Sequence, residues 1–518
     1  MIKDLVEFKK YIAENKIFVF VSLIISILIY YLKMTTPIIG MDTNGFLFDQ
    51  EGYNKHWLSI GRVGEVLIKK YIWRGNNNIF LWNTVSCLLF TFSVVFFSFM
   101  LSKIINDRKH LRLLLPCLIL SSPLFVFQYY FVLQMFEFSL SLNLVLFSIY
   151  LIEFSSLNRI LKSIIVIFLL GITFGVYNTF VFYYILIVSS IILFKITRAY
   201  RNDSFFDFKN MISEYICYGI YCILGVLFYI IVNFLVLRYC NITQVSHATN
   251  MIYWTSAPLS ESLKKLFKTL MCLFFKPGIK SGFPFYNYLP LIMLLCMFLS
   301  LYKLFLKRKD LFLQAIFSSA VLCSSGLGIV LITAAADLPR TMVPQFPFMI
   351  AIGIYWSMMI FNNNKLHTTL LMLLCFFTCL QVRDSLNLVV SEKMTFEEDY
   401  VRMVEIDMAI KDLHLSDDYK KKVVLTGNIP SKNRFNIGYP NELVGVSMFN
   451  FAFSSDNQIH SYYVGDNILI IMDTFGMKYN KPTLNEYQDA IKRHPELLSD
   501  TSALRCFSDD KYIYVHVR

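Results

Sequence analysis

Long uncharged hydrophobic stretches dominate the first 390 residues of the chain. Residues 17–32, 79–102 and 215–237 contain no charged side chain at all. Each stretch is close to the roughly 20 residues that an α-helix needs to cross a hydrocarbon core. Only helices and closed barrels satisfy their backbone hydrogen bonds in lipid, and these runs are too long for barrel strands. The pattern therefore predicts membrane-spanning α-helices.

Eight further apolar stretches raise the expected number of spanning helices to about eleven. They are residues 113–131, 138–152, 163–176, 179–194, 288–305, 311–335, 342–361 and 366–382. The boundary between the two stretches on either side of residues 171–178 fits either a turn or a kink within one helix. The fold class that follows is mainly α, a polytopic membrane helical bundle spanning residues 1–390. A composition of 56% hydrophobic and only 16% charged residues agrees with it, since soluble chains are nearer a quarter charged.

The tail after residue 390 is charged and polar, and it predicts a separate domain. Residues 396–413 show helical periodicity, and residues 484–498 are also expected to form a helix. Residues 422–426, 467–472 and 512–517 have the composition of strands. We therefore expect a small α/β domain over residues 391–518, with an accessory rather than a catalytic role.

Basic residues in alternate short loops give the expected orientation. They are Lys3, Lys9, Lys10, Lys16, Lys103, Arg108, Lys109, Arg112, Arg159, Lys162, Lys195, Arg198, Arg201, Lys303, Lys307, Arg308 and Lys309. The positive-inside rule makes this side cytoplasmic. An odd number of spans then places the N-terminus in the cytoplasm and the C-terminal domain outside. The chain is thus expected to be a multi-pass protein of a cytoplasmic membrane.

The segment over residues 41–62, on the outer side, gathers most of the candidate chemistry. Asp42 and Asp49 are seven positions apart, so a helix there would put both carboxylates on one face. A carboxylate at a low-dielectric boundary has a raised proton affinity, which suits a general base. The alternative is a solvated loop whose acids cap helices. Which of the two would take the proton is left open.

Cations on the same side are candidates for binding a phosphate. Arg62 and Arg340 could each clamp a phosphate through paired hydrogen bonds, and Lys55 lies between Asp49 and Arg62. Arg62 could instead be a topological anchor, and Arg340 could pair with Asp337. The wider set of outer basic residues could simply contact phospholipid headgroups. That set is Lys55, Arg62, Lys69, Lys70, Arg74, Lys264, Lys265, Lys268, Lys276 and Lys280.

Aromatic and acidic neighbours complete the candidate site. Tyr53 and Trp57 could stack on sugar rings, and His56 and Glu137 could contact an acceptor. Glu137 stands almost inside an apolar run, where an ionisable group is usually functional, although it could also reach towards the interface. The histidines and cysteines show no metal-ligand spacing, and no nucleotide-binding fingerprint is present. We therefore predict neither a metal nor a cofactor, and no nucleic-acid partner.

Four segments, in order, resemble a known family. They are the acidic stretch from Asp42 to Arg62 that ends in Gly-Arg, QMFEFSLSL around Glu137, GVYNTFVFYY from Gly175, and PRTMVP from Pro339. They resemble the bacterial serotype-converting glucosyltransferases of the Gtr type, polytopic enzymes of the GT-C class. The adjacent acidic pair common in that family is absent, because Thr43 follows Asp42.

The resemblance implies an activity on the outer face of the bacterial cytoplasmic (inner) membrane. The expected donor is a polyprenyl-phosphate-linked sugar, the transferred group a hexose such as glucose, and the acceptor a surface polysaccharide such as O-antigen. One general base with direct displacement would invert the anomeric centre. Two other classes stay open: a flippase or exporter of lipid-linked glycans, and a surface binding protein that uses its tail for recognition.

Overall fold

The structure is a computed structural model in which the chain divides into two units. It describes residues 2–36, 38–40, 43, 46–47, 49–73, 78–105, 109–245, 252–275, 288–334, 339–361, 364–414, 421–437, 444–450, 458–498 and 504–517. The first unit comprises Met1–Thr35 and Asn54–Leu386, and the second comprises Thr36–Tyr53 and Asn387–Arg518.

Helices make up the described part of the first unit, and two of them, Gln50–Ser59 and Asn364–Lys411, belong partly to the second unit. In chain order they are α1 (Ile2–Glu14), α2 (Lys16–Thr35), α3 (Gln50–Ser59), α4 (Val63–Ile68), α5 (Ile79–Ile104), α6 (Leu114–Ile119), α7 (Leu124–Tyr130), α8 (Val132–Phe154), α9 (Arg159–Val176), α10 (Phe180–Arg201), α11 (Phe208–Tyr239), α12 (Tyr253–Ser256), α13 (Leu259–Phe275), α14 (Tyr288–Lys307), α15 (Lys309–Gly326), α16 (Gly328–Thr333), α17 (Gln345–Ile360) and α18 (Asn364–Lys411). Short 3₁₀ turns lie at Lys109–Leu113 and Pro339–Met342, and a π-helical turn at Lys69–Trp73 follows α4 directly.

All eleven predicted stretches are helical, but not all form single long helices. Within the described residues, eight helices are long and apolar enough to cross a membrane: α2, α5, α8, α9, α10, α11, α14 and α18. The stretch over residues 113–131 is a pair of helices bent by 51°, which would make a ninth span. The stretch over residues 311–335 is divided between α15 and α16, and α17 has only 16 residues. Residues 177–179 interrupt the helical structure, so the two stretches form separate helices, α9 and α10.

Burial separates the central helices from the peripheral ones. Every residue of α17 is buried, as expected of a helix that is apolar on all sides. By contrast, α11 exposes isoleucines along its length, at positions 216, 220, 223, 230 and 231. Such an apolar outer surface suits a hydrocarbon environment rather than water. The main packing pairs are α5 with α8, α9 with α11, and α10 with α15.

The second unit contains a three-stranded sheet covered by helices. Strands β1 (Lys422–Gly427), β2 (Leu504–Ser508) and β3 (Tyr512–Val517) lie in the order β1-β3-β2. The central strand β3 is parallel to β1 and antiparallel to β2. Helices α19 (Gln458–Thr474) and α20 (Leu484–Arg493) accompany it, with 3₁₀ turns at Met448–Asn450 and Pro495–Leu498. The strands predicted at residues 422–426 and 512–517 are therefore confirmed.

One strand prediction in the tail is wrong. Residues 467–472, NILIIM, lie inside α19. A short continuous apolar run fits a buried strand or a buried helix equally well by periodicity. Here Val464, Ile468 and Ile471 repeat at the helical spacing and pack in one cluster with Val423 and Val515 of the sheet. The apolar residues that suggested a buried strand are therefore buried on one face of a helix.

Candidate active site

A tight turn between α3 and α4 sets the direction of Arg62. The amide of Arg62 donates to the carbonyl of Trp57, and the amide of Gly61 donates to that of Leu58, at 2.8 and 3.0 Å. These two bonds form a Schellman motif, which requires a left-handed residue just after the helix. Gly61 provides it, with φ of +85°. The hydroxyl of Tyr229 also donates to the carbonyl of Gly61 at 2.9 Å, which ties the turn to α11.

Three ionisable side chains follow at helical spacing on one side of α4. Arg62, Glu65 and Lys69 are separated by three and four positions, so they lie on one face of a helix. An Nη1 atom of Arg62 lies 3.5 Å from Oε2 of Glu65, whose side chain is 2% exposed. Lys69 begins the π-helical turn, a local widening that is frequent at functional sites. This polar face is directed into the protein and not towards solvent.

Glu137, from the first turns of α8, completes the buried charge cluster of Arg62, Glu65, Lys69 and Glu137. Nζ of Lys69 donates to Oε1 of Glu137 at 2.8 Å, and also to the carbonyl oxygen of Leu133. The Glu137 side chain is fully buried. The sequence prediction left open whether Glu137 reaches towards the interface, and the structure instead pairs it inside the bundle.

Aromatic rings surround the two cations of the cluster. Nζ of Lys69 lies 5.0 Å from the centre of the Trp57 ring and 4.5 Å from that of Trp73. The guanidinium of Arg62 lies 4.8 Å from the ring of Tyr177, in the turn between α9 and α10. Trp73 stacks on Trp82 of α5 with ring centres 4.4 Å apart. Lys69 and Arg62 thus each lie near aromatic faces, whose negative quadrupole stabilises a positive charge.

Electrostatics in the cluster favour a proton-accepting or hydrogen-bonding role for its carboxylates. Burial raises the pKa of the Glu65 carboxyl above its usual range, although Arg62 and Lys69 act in the opposite direction. Oε1 of Glu65 and Oε2 of Glu137 are buried and have no hydrogen-bond partner among the described residues. A buried oxygen without a partner is costly, and a ligand hydroxyl could satisfy it.

The opposite face of α4 lines an apolar groove of about 390 Å³. Its walls come from α4 with the following π-helical turn, from α9, and from α11. They are Val63, Gly64, Leu67, Ile68, Tyr71, Ile72, Phe168, Gly171, Ile172, Phe228 and Val232. Phe168, Tyr71 and Ile72 are among its exposed residues, so the groove opens at the surface of the bundle. One short helix thus has a charged side and an apolar side.

Of the two carboxylates predicted as bases, Asp49 lies among the described residues. Asp42 lies outside the described residues. Asp49 precedes α3 and caps it: its Oδ1 accepts the amide hydrogen of Gly52 at 2.8 Å. A Cβ atom at Gly52 would meet the Asp49 carboxylate, so glycine permits this cap. This hydrogen bond is the one expected from the alternative prediction that the acids of this segment cap helices. The Asp49 side chain is also exposed.

The other predicted residues of α3 divide between its surfaces. Lys55 and His56 are exposed, while Trp57 is 4% exposed and contacts Lys69. Tyr53 is half-buried and meets the ring of Phe46 edge-on, with ring centres 6.5 Å apart. Of these four, Trp57 contacts the buried charge cluster through Lys69.

Arg340 belongs to a second group of cations and aromatic rings. Its guanidinium lies 4.0 Å from the ring of Phe131, which connects α7 to α8. Asp337, its proposed partner, lies outside the described residues. The adjacent ring of Tyr130 has Lys33 of α2 on it, with Nζ 5.9 Å from the ring centre. Lys33 is only 1% exposed and was not among the residues predicted from the sequence.

Sequence reasoning also missed Glu65 and undervalued Lys69. Glu65 was not considered, and Lys69 was grouped with outer cations that could contact phospholipid. The signal was available in the spacing R62-x-x-E65-x-x-x-K69, which places three charges on one helical face inside an otherwise apolar segment. Within the described ranges, no three His, Cys, Asp or Glu side chains gather as a metal ion would require.

These features define the class: a membrane protein built from apolar helices, with a charged and aromatic site buried among them. The sequence pattern of the glucosyl transferase GtrII family matches residues 31–361, which contain the whole cluster and Arg340. The chain belongs to that family and is a membrane glucosyltransferase. No curated protein and no solved structure matches it significantly.

Proposed function

We propose that this glucosyltransferase takes its sugar from a polyprenyl-phosphate-linked hexose and transfers it to a surface polysaccharide outside the cytoplasmic membrane. The two-sided character of α4 carries the proposal. Arg62 and Lys69 lie on one side with aromatic rings, and the apolar groove lies on the other. A lipid-linked sugar phosphate has the same two parts, a hydrocarbon chain and an anionic sugar head, joined within a few ångströms.

Arg62 is the best candidate to bind the donor phosphate. The Arg62 side chain is 20% exposed, so a ligand can reach it, whereas the Lys69 side chain is only 3% exposed. Its planar guanidinium can donate two parallel hydrogen bonds to phosphate oxygens. Arg340, and Lys55 on the exposed side of α3, are the further candidates for stabilising the leaving phosphate. Trp57 and Tyr53 are proposed to contact sugar rings, and His56 the acceptor.

The proposed reaction is a single displacement. A carboxylate, Asp42 or alternatively Asp49, takes the proton from an acceptor hydroxyl. The hydroxyl oxygen forms a bond to the anomeric carbon while the bond from that carbon to the phosphate oxygen breaks. The lipid phosphate leaves with the electron pair, and the anomeric centre inverts. Glu65 and Glu137, whose side chains are 2% and 0% exposed, would act by holding Arg62 and Lys69 in place.

The proposed orientation puts this chemistry on the outer side, with the N-terminus in the cytoplasm and residues 391–518 outside as an accessory domain. Accessibility of single introduced cysteines to a membrane-impermeant thiol reagent in intact cells tests it. Positions 55 and 478 are exposed and suit the labelling. Labelling of both in intact cells is expected, and labelling of both only after lysis would overturn the orientation.

Transfer by the purified full-length protein tests the donor. With polyprenyl-phosphate-glucose and an acceptor polysaccharide, we expect the glycan to gain one hexose mass per modified repeat. UDP-glucose is the control donor and should give no product. Transfer from UDP-glucose alone would contradict the proposal.

Separate Asp42→Asn and Asp49→Asn variants identify the base. The variant that abolishes transfer while leaving the protein folded and inserted identifies the base, and full activity in both variants would exclude both carboxylates.

Arg62→Gln is expected to lower kcat by roughly 10²–10³-fold, the usual cost of losing one stabilising donor.

A further inference from the structure

A second, strongly basic cavity lies in the first unit, away from the buried charge cluster. It has a volume of about 640 Å³ and is lined by Tyr200, Arg201, Asp203, Lys303, Lys307, Arg308, Met359 and Ile360. These residues come from the end of α10, the end of α14 and the end of α17. Four cationic side chains therefore surround one cavity that contains a single carboxylate.

The lengths of two helices place this cavity at the other end of the bundle from the candidate active site. Helix α10 starts three residues after Tyr177, which contacts Arg62, and ends at Arg201. Its 22 residues span roughly 33 Å. Helix α17 starts five residues after Arg340 and ends at Ile360, and its 16 residues span roughly 24 Å. The two sites are thus separated by about the thickness of a bilayer.

The fold fixes the walls of this basic cavity with its own hydrogen bonds. Arg201 donates to the carbonyl of Met359 at 2.8 Å, and Lys303 donates to that of Ile360 at 2.8 Å. Both carbonyls belong to the C-terminal end of α17, where the helix dipole is negative, so cations are stabilised there. These contacts hold Arg201 and Lys303 at the cavity wall in a defined position.

The local carboxylates do not neutralise the two lysines. Asp310 and Asp203 pair with Arg308, at 2.7 and 3.3 Å. Lys303 instead lies over the ring of Phe361, at 5.0 Å. Lys307 follows one helical turn later on the same helix, so the two ammonium groups repel each other. A cavity with clustered positive charge between the ends of apolar helices is suited to a lipid phosphate.

We propose that this cavity binds the phosphate headgroup of an anionic phospholipid in the leaflet opposite the candidate active site. The positive-inside rule by itself explains why basic residues occur at this end of the bundle. It does not require that four of them, one from α10, two from α14 and Arg308 directly after α14, converge on one cavity. The apolar outer surfaces of α14, at Leu299, Tyr302 and Leu306, lie beside it and are exposed, so acyl chains can pack there. The proposal does not depend on the donor or on the reaction.

Native mass spectrometry of the purified full-length protein, titrated with phosphatidylglycerol or phosphatidylcholine, tests the proposal. The wild type should retain phosphatidylglycerol selectively. The double variant Lys303→Gln/Lys307→Gln should bind it roughly thirtyfold more weakly, because each lysine contributes about fivefold at an anionic surface. Lys307→Gln alone keeps the bond from Lys303 to Ile360, and should lose about fivefold.

The matched control is Lys9→Gln/Lys209→Gln, which removes two exposed lysines outside the cavity. It should bind phosphatidylglycerol as the wild type does. Equal loss in the control and in the cavity variant would overturn the proposal, since binding would then follow total charge. Displacement of the lipid by inorganic phosphate at millimolar concentration, without selectivity for phosphatidylglycerol, would also overturn it in favour of a free-phosphate site.

Discussion

Nζ of Lys69 lies 2.8 Å from Oε1 of Glu137, and the two side chains are 3% and 0% exposed. A salt bridge so deeply buried repays its desolvation only while both partners are present. We expect Lys69→Met or Glu137→Leu alone to lower the free energy of unfolding by about 3–5 kcal/mol, because each leaves one buried charge unpaired. The free energy of unfolding of the double variant should fall by less than the sum of the two single losses. Denaturant unfolding in detergent measures all three, and strict additivity would contradict the coupling.

Gly61→Ala should displace Arg62. The φ of Gly61, +85°, disfavours any residue with a Cβ, and a Cβ at this position would also lie 2.7 Å from the Tyr229 hydroxyl. We expect a loss of stability of about 1 kcal/mol, together with a rise in KM for the lipid-linked donor. The matched control is Gly219→Ala in the middle of α11, where a Cβ meets nothing within 4 Å. That variant should be neutral or more stable, with unchanged KM; a similar KM rise in both would show that Arg62 is not the cause.

The helical bundle could be predicted from the sequence because hydrophobic runs of spanning length have few other solutions. The same reasoning could not divide residues 311–335 at Leu327 or find that α17 is short and central, since both depend on neighbouring helices. NILIIM in α19 was assigned to a strand because a continuous apolar run carries no period. Within the site, Arg62 and Glu137 were predicted from the sequence as individual charged residues. The pair of Arg62 with Glu65 could have been found from its spacing of three residues, but the pair of Lys69 with Glu137 required a structure, because nothing local shows that α8 approaches α4.

Glu65 should make stability depend on pH. A carboxyl whose folded pKa is raised contributes stability that is fully present below its unfolded pKa, near 4.5, and that is lost as the pH rises through the folded value. The Tm of the wild type minus that of Glu65→Gln should therefore decrease as the pH is raised from 5 to 8. Thermal unfolding of both proteins in one buffer series measures this difference. A difference that stays constant or increases over that range would be inconsistent with the raised pKa.

Filling the apolar groove should affect the lipid part of the donor selectively. Val232→Trp adds a large ring to the groove wall, so KM for a long-chain polyprenyl-phosphate-glucose should rise. A short-chain donor should be used as the wild type uses it. Ile230→Trp is the control, since Ile230 is on the same helix, is 52% exposed and does not line the groove. If Val232→Trp leaves KM for the long-chain donor unchanged, the hydrocarbon chain binds elsewhere.

Glu486 should stabilise helix α20 of the second unit in a pH-dependent way. Its carboxylate accepts bonds from Lys422 of β1 at 2.6 and 2.7 Å, and from the amide of Thr483 at 2.7 Å in a capping box. These bonds, the Lys422 contact first, lower the pKa of Glu486 to about 2. A depressed pKa gives stability that is present above the unfolded value near 4.5 and is lost as the pH falls towards 2.

Glu486→Gln should accordingly speed amide hydrogen exchange across α20 in the full-length protein at pH 7. The free energy of opening that this exchange reports should differ less between variant and wild type as the pH falls below 4.5, because the wild-type carboxylate is then being protonated. Lys478→Gln, at an exposed position outside the helix, is the control and should leave exchange in α20 unchanged. Equal protection of α20 in Glu486→Gln and the wild type at pH 7 would show that the capping box and the Lys422 pair contribute no stability there.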